Sequence, residues 1–407
     1  MFNSLEIMGI SILGGFAGGK LMERLKIPAV AGYVIVGVLL GGSVSGVFDA
    51  EALSGMGLVG ELALGIIAFS IGGELEWRTV RQLARSLFPI VILEAGGAML
   101  AVALGVWLWT GDIALALILG AISSATAPAA TVLVIRELRA AGPLTSTLMA
   151  VVGIDDAIAL TLYAIAAAAA KGILASSAPL SIAGVLMVSG AEIGSSLLLG
   201  AVGGLVVGPL LARLPSLEGK LTLMIGVLVA IAGIADQLAI SPLLANMAFG
   251  AVLVNVAPLS ARALVEQIST MGAPILIGFF VIAGAHLRLD LLPSLGLLGL
   301  IYLLARMLGK VGGASLGAWL SKASPKVRQN IGFGLLSQVG VAIGLSLVVA
   351  NEFTGFGEKG RTLALTVINV LLATTVVTEI VGPVLTRRAL LRAGKADGLD
   401  KTEEHRE

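Results

Sequence analysis

The sequence predicts an all-α polytopic membrane protein, a bundle of about thirteen transmembrane helices, each needing roughly twenty apolar residues. Of its 407 residues, 57% are hydrophobic and only 13% are charged, and the mean hydropathy is +1.03. These values lie outside the range of soluble globular domains. The apolar runs are near helix length and do not alternate as membrane strands do. Because lipid cannot hydrogen-bond a free backbone, such runs must be helical.

Cysteine is absent from the chain. Disulfide frameworks, thiolate metal sites and c-type haem attachment are therefore excluded. No cofactor is expected.

The individual spans are predicted where apolar windows are separated by charged residues or by clusters of Pro, Gly and Ser. They cover residues 5–23, 28–47, 55–73, 87–109, 113–135, 145–170, 181–211, 221–238, 241–257, 268–286, 294–320, 328–350 and 363–386.

The distribution of basic residues predicts the orientation of these spans. Connections after odd-numbered spans hold fourteen of the 26 Lys and Arg residues, whereas connections after even-numbered spans hold four. Because cytoplasmic loops collect basic residues, the N-terminus is expected outside and the C-terminal tail, 391–407, in the cytoplasm. Two basic residues, Arg306 and Lys310, lie inside the eleventh span.

An odd number of spans predicts an internal symmetry. If span seven only connects two halves, spans 1–6 and 8–13 enter the membrane from opposite sides and form two inverted repeats of six. The fifth span of each half is expected to be a broken helix, and the two breaks to cross. Residues 123–131 contain hydroxyls and Pro128, and residues 332–344 contain Ser337 and Gln338 among glycines. An ordinary kink or a small-residue packing seam is the alternative for each.

Two adjacent carboxylates, Asp155 and Asp156, lie in the sixth span. An ionisable group at bilayer depth is costly and indicates a functional site. Side chains of helical neighbours diverge by about 100°, so the two aspartates should have different roles. Lys310, in the equivalent span of the second half, is predicted to neutralise one of them. Arg306 lies one turn from Lys310 and either tunes the site or pairs with a helix end.

Four further acidic residues lie within predicted spans. Glu94 and Glu379, in spans four and thirteen, are candidates for tuning transport. The alternative is a carboxylate hydrogen-bonded between helices or facing a water-filled cavity, and the same alternative applies to Glu192 and Glu61. Asp236 lies near a span end, where its ionised side chain can reach water at little cost in free energy.

Carboxylates, hydroxyls and free carbonyls at a helix break are hard oxygen ligands, suited to an alkali cation and able to carry protons. Four stretches, 126–128, 153–156, 306–310 and 334–344, resemble the monovalent cation–proton antiporter superfamily, second branch. The similarity extends to about Leu390. Ala127 is a departure, because some relatives carry an acidic residue there.

The resemblance implies a homodimer whose core slides past a scaffold as an elevator in the bacterial inner membrane, with the lipid bilayer as its surroundings and no nucleic-acid partner. The scaffold would be residues 1–86 and 220–290, the linker 171–219, and the core 87–170 and 291–390.

The resemblance also implies a role for each site residue. Asp156 would bind the ion and the proton, Asp155 would pair with Lys310, and Thr126 would lie at the helix crossing. Asp156, Asp155 and Thr126 would hold Na⁺, with Ser337 and Gln338 as further polar groups of the crossing. A paired-aspartate form with a lysine implies electrogenic exchange of Na⁺ or Li⁺ for protons, and no enzymatic activity.

Other functions remain open at this point. A K⁺/H⁺ antiporter or cation efflux system would share the fold, although the potassium-efflux members carry a nucleotide-binding regulatory domain that these residues do not include. An intramembrane aspartyl protease needs its two aspartates on different helices, and here they are adjacent. A channel would not need an exchangeable carboxylate with a lysine counter-charge. A symporter would want a roomier organic pocket, and only 4% of the residues are aromatic and could line one.

Overall fold

The computed structural model describes residues 3–25, 27–48, 53, 56–175, 182–238 and 240–394, and within them the regular structure is helical. Fifteen α-helices follow one another in these segments. They are α1 (Ser4–Arg24), α2 (Ala29–Leu40), α3 (Gly57–Glu74), α4 (Trp77–Thr110), α5 (Ile113–Ser123), α6 (Pro128–Leu138), α7 (Pro143–Ala175), α8 (Ile182–Arg213), α9 (Leu217–Gln237), α10 (Pro242–Val256), α11 (Pro258–Ala285), α12 (Leu292–Leu320), α13 (Pro325–Asn330), α14 (Gly340–Phe353) and α15 (Gly357–Arg392). Short 3₁₀ turns lie at Leu289–Leu291, Ile331–Leu335 and Thr354–Phe356.

The predicted all-α membrane class is confirmed. Eight described helical segments are long and apolar enough to cross a membrane, and four shorter apolar helices accompany them. Each predicted span coincides with one helix or with a helix pair, but several helices begin earlier than predicted, α4 and α11 by about ten residues. α4 begins at Trp77 instead of residue 87, and α11 at Pro258 instead of 268. Charged residues in these first turns lower the hydropathy without interrupting the helix, because Arg, Gln and Glu are good helix formers.

Side-chain caps fix several helix starts. Asn3 accepts from the amide of Glu6 and Glu6 bonds back to the amide of Asn3, a capping box at α1. Asp112 caps α5, and Ser241 caps α10 directly before Pro242. Since the first amides of a helix have no partner within it, these side chains supply the missing acceptors.

The helices pack in two groups. In the first, α1, α2, α3 and α10 surround α11; in the second, α12 lies along α4, with α5, α7 and α15 packed beside them. α8 packs against α10 of the first group and α7 of the second. The same contacts place residues 153–156 and 306–310 in the second group.

Glycines set the close approach of α4 and α12. A Cβ on Gly313 would overlap the carbonyl of Leu93, and one on Gly309 would overlap the carbonyl of Gly97. A Cβ on the adjacent Gly312 would meet nothing within 4 Å. Small residues that let backbones meet are the usual interface of membrane helices, where no hydrophobic effect drives association.

We expect Gly313→Ala to lower the thermal stability of the detergent-solubilised protein by about 1–3 kcal/mol, the usual cost of overpacking a tight site. Gly312→Ala is the matched control and should unfold at or above the wild-type temperature, because alanine favours helix and meets no neighbour there. Equal melting temperatures for the two variants would show that α4 and α12 do not approach as closely as described.

Candidate functional site

Two helices are interrupted inside the bundle, and their breaks cross. The first break, residues 124–127, separates α5 from α6, and the second, residues 336–339, separates the 3₁₀ turn Ile331–Leu335 from α14. The amide of Ala127 donates to the carbonyl of Ser337 at 2.8 Å, which joins the breaks directly. Gln338 Nε2 donates to the carbonyl of Ile122 at 2.8 Å, and so the side chain of one break also reaches the other helix.

Arg306 satisfies backbone carbonyls from both breaks. Its side chain is 1% exposed. Nε donates to the carbonyl of Ser123 at 3.0 Å and Nη2 to that of Ala125 at 2.9 Å, while Nη1 donates to Leu336 at 2.6 Å. Carbonyls at the C-terminal end of a helix lack intrahelical partners and carry the negative end of the helix dipole. The guanidinium therefore caps two half-helices at once.

We expect Arg306→Lys to destabilise the protein by about 1.5–3 kcal/mol, the scale of a charged hydrogen bond lost from a buried acceptor. A lysine ammonium cannot reproduce the planar fork of three donors that reaches three separate carbonyls. The measurement is thermal unfolding in detergent. Arg288→Lys is the control, because Arg288 pairs with Asp290 where both side chains are more than half exposed, and it should unfold with the wild type. Equal melting temperatures for Arg306→Lys and Arg288→Lys would contradict the capping role.

Lys310 lies at the centre of a second buried cluster. Its Nζ donates to the carbonyl of Ser124 at 2.6 Å, to Thr126 Oγ1 at 2.7 Å and to Asp155 Oδ2 at 3.3 Å. It also forms an ion pair with Glu94, and the side chains of Lys310, Glu94 and Asp155 are all 0% exposed. Thr126 Oγ1 donates to Asp155 Oδ2. One ammonium is thus shared by two carboxylates, a hydroxyl and the carbonyl of the first break.

The contact of Glu94 with Lys310 was not predicted. The sequence predicts for Glu94 either tuning of transport or a hydrogen bond between helices, and the resemblance implies Asp155 as the partner of Lys310. In the structure Lys310 contacts both carboxylates. Glu94 lies on α4 and Lys310 on α12, and these helices approach closely because of the glycines of α12. The residues around Glu94 in the sequence do not indicate this approach.

Asp156 points to a different part of the molecule from Asp155. It is 8% exposed and lines a cavity of about 300 Å³. Ser70, Ser269 and Phe280 from the first helix group form one wall of this cavity, and Val339 from the second break forms part of the other. Asp156 therefore faces the boundary between the two helix groups, as the 100° divergence of neighbouring helical residues allows.

A larger cavity of about 660 Å³ lies next to the Asp156 cavity, and Ser70 and Ser269 line both. The two hydroxyl oxygens are 2.7 Å apart. The larger cavity is also lined by Glu76 and Arg262, which form an ion pair. Arg262 belongs to one of the basic connections, and so the two cavities, joined at Ser70 and Ser269, lie between that end of the bundle and Asp156. Ser70 and Ser269 are not among the predicted site residues.

Glu379 lies by the second break and not in the Lys310 cluster. Its side chain is fully buried and within electrostatic range of Arg306. Thr378, the preceding residue, donates to the carbonyl of Gln338 at 3.2 Å. Gln338 in turn accepts from Tyr302 Oη at 3.0 Å. Ser337 is buried at the crossing and contributes its carbonyl there.

Comparison with known proteins gives a consistent picture of the whole chain. Residues 9–391 match a family model described as "Sodium/hydrogen exchanger, transmembrane". The fold matches the sodium proton antiporter MjNhaP1 from Methanocaldococcus jannaschii at pH 8, with a TM-score of 0.81 and 17% identity over 96% of this chain and 99% of that one.

Two curated relatives differ in the cation that their names give. The ammonium/H⁺ antiporter subunit AmhT of Alkalihalophilus pseudofirmus is 22% identical over 87% of this chain and 84% of its own length. A protein of Alkalimonas amylolytica, provisionally named as the K⁺ efflux antiporter KefB, is 29% identical over 102 residues, which are 25% of this chain and only 15% of that relative.

Proposed function

We propose that this chain, which belongs to the sodium/hydrogen exchanger family, exchanges Na⁺ or Li⁺ for protons across the cytoplasmic membrane, with Asp156 as the carboxylate that both ions share. Family membership makes it a multi-pass cation–proton antiporter. The assignment of Asp156 rests on one observation, that two adjacent carboxylates lie in different environments. Asp155 forms an ion pair with Lys310, whereas Asp156 lines a cavity.

The exchange follows from competition at Asp156. A carboxylate oxygen is a hard ligand that an alkali cation prefers, and the same oxygen is a proton acceptor. The carboxylate must be ionised to bind the cation. Once it has taken up a proton, the carboxyl group no longer binds the cation. Asp155 and Thr126 support this group by holding Lys310 at the first break.

An elevator movement would carry Asp156 from one side of the membrane to the other. The Asp156 cavity lies between the two helix groups, with walls from both. The helix that bears Asp156 belongs to the second group, so that sliding this group along the first would change the end to which the cavity opens. We assign residues 1–86 and 220–290, which include the helices of the first group, to a scaffold that forms a homodimer, and residues 87–170 and 291–390, which include most of the second group, to the moving core.

The inverted-repeat arrangement and thirteen spans belong to the same proposal. The two breaks lie in the fifth element of each proposed half, and they are joined by the Ala127 to Ser337 hydrogen bond. With an odd number of spans, the two proposed halves would cross the membrane in opposite directions. The N-terminus would lie outside and the tail in the cytoplasm.

Exchange of K⁺ or ammonium for protons is the second candidate, favoured by the names of the two curated relatives. The test is dissipation of a respiration-generated pH gradient in inverted vesicles on adding Na⁺, Li⁺, K⁺ or NH₄⁺, with choline as the inert control. We expect Na⁺ and Li⁺ to dissipate the gradient. A response to K⁺ or NH₄⁺ alone would replace the proposed substrate, and the absence of any response in an expressed protein would contradict the exchange.

A further inference from the structure

A third cavity lies at the other end of the bundle from Glu76 and Arg262. It has a volume of about 210 Å³ and is lined by three carboxylates, Glu61, Asp236 and Glu352. Glu61 lies near the start of α3, and Glu76 lies just after its last residue, Glu74. The two glutamates are therefore at opposite ends of this helix. The walls of the third cavity include α3 and α10 of the first helix group and α7 of the second, together with α9 and α14. The Asp156 cavity likewise has residues of both groups in its walls. This part of the chain has no role in the exchange described above.

A protein ammonium already lies beside these carboxylates. Lys171 Nζ is 3.2 Å from Glu352 Oε2 and 3.4 Å from Glu192 Oε1, and the Lys171 side chain is 25% exposed. Glu61 and Asp236 line the same cavity, so carboxylates outnumber the one ammonium. The excess negative charge at a partly desolvated place attracts cations.

Asn246 is a second and independent indication of a ligand. Its side chain is 0% exposed and lines the cavity from α10. Neither Oδ1 nor Nδ2 has a hydrogen-bond partner in the part of the chain that the structure describes. A buried amide without partners is costly and calls for a ligand or water to satisfy it. Its carbonyl oxygen is of the type that binds hard cations.

The cavity is large enough for an ion with part of its hydration shell, since a water molecule occupies about 30 Å³ in the liquid. Among the described residues, no three acidic or histidine side chains come close enough to hold a bare metal ion together. A strongly chelated divalent ion therefore does not fit this arrangement. A weakly held, partly hydrated monovalent cation does.

We propose that this cavity is a second cation site, in which Asn246 Oδ1 contacts a partly hydrated monovalent cation and Glu61, Asp236 and Glu352 supply the negative field. It rests on the proposed function, because the cation is the one that Asp156 exchanges. The site would lie at the end of the bundle opposite Glu76 and Arg262, with residues of both helix groups in its walls.

The test is equilibrium binding of radioactive Na⁺ to the purified full chain by a scintillation proximity assay, in an Asp156→Asn background that removes the exchange site. We expect saturable Na⁺ binding to persist in Asp156→Asn. Adding Asn246→Leu should weaken it about tenfold, the equivalent of one charge-assisted contact. Adding Glu61→Gln should weaken it in the same direction, and this exposed position carries the test if the Asn246 variant does not fold.

Glu218→Gln is the matched control, because Glu218 is an exposed acid in the first turn of α9, the helix that bears Asp236 at its other end. It should leave binding unchanged. The proposal is overturned if Asp156→Asn binds no Na⁺, or if Glu61→Gln affects binding no more than Glu218→Gln. Failure of the proposed function would look different, because wild-type vesicles would then show no Na⁺-dependent proton movement although Glu61-dependent binding remained.

Discussion

Replacing Asp156 with Asn is expected to abolish cation-dependent proton movement while the protein remains folded. The amide has the shape of the carboxylate, but it neither takes up a proton nor balances the charge of a cation. The loss should be about a hundredfold or more, within the range for removal of a proton-transfer group. It is measured as the rate at which Na⁺ or Li⁺ dissipates the pH gradient of inverted vesicles, normalised to the amount of protein.

Two variants make this result interpretable. Asp290→Asn is the surface control, because Asp290 is exposed and paired with Arg288, and it should exchange as the wild type does. Asp155→Asn tests the division of roles between neighbours. Since Asp155 is bonded to Lys310 and Thr126, its replacement should lower thermal stability more than the Asp156 replacement does. Undiminished exchange in Asp156→Asn would place the ion site elsewhere.

Lys310→Gln is expected to cost about 3–5 kcal/mol of stability, the range for removing one partner of a buried ion pair. The loss is large because Glu94 and Asp155 then remain buried without their ammonium. Thermal unfolding in detergent measures it, and vesicle assays at a temperature well below the transition show whether exchange remains. Retained exchange with lowered stability would make Lys310 a counter-ion. Lost exchange with unchanged stability would make it a proton carrier and contradict this expectation.

The double variant Glu94→Gln/Lys310→Gln separates charge from packing. It removes one buried carboxylate together with the ammonium, and we expect it to be more stable than Lys310→Gln alone. The stability effects of substitutions within one hydrogen-bonded network are not additive. Comparing the two single variants with the double variant measures the coupling energy between Glu94 and Lys310. If the double variant is less stable than Lys310→Gln by the full effect of Glu94→Gln, the two side chains do not interact as described.

Much of the fold was predictable because membrane helices are specified locally. Hydropathy and the need to satisfy every backbone group in lipid determined the helical class. The interruption of the fifth and twelfth spans followed from Pro128 and from the glycines around Ser337, which weaken a helix wherever it lies. The limits of α4 and α11 were harder to place, because their charged first turns resemble loops by hydropathy alone.

The sequence by itself determined that Asp155 and Asp156 lie on one helix at bilayer depth and diverge by about 100°, because this requires only helical geometry. Only the tertiary structure decided which neighbours each residue has. It placed Glu94 beside Lys310, Arg306 across the carbonyls of both breaks, and Ser70 against Ser269. These contacts join residues far apart along the chain, and their distances depend on how closely two helices approach. Glycines such as Gly313 allow two backbones to come into contact and so determine this approach. The hydropathy of the sequence does not predict it.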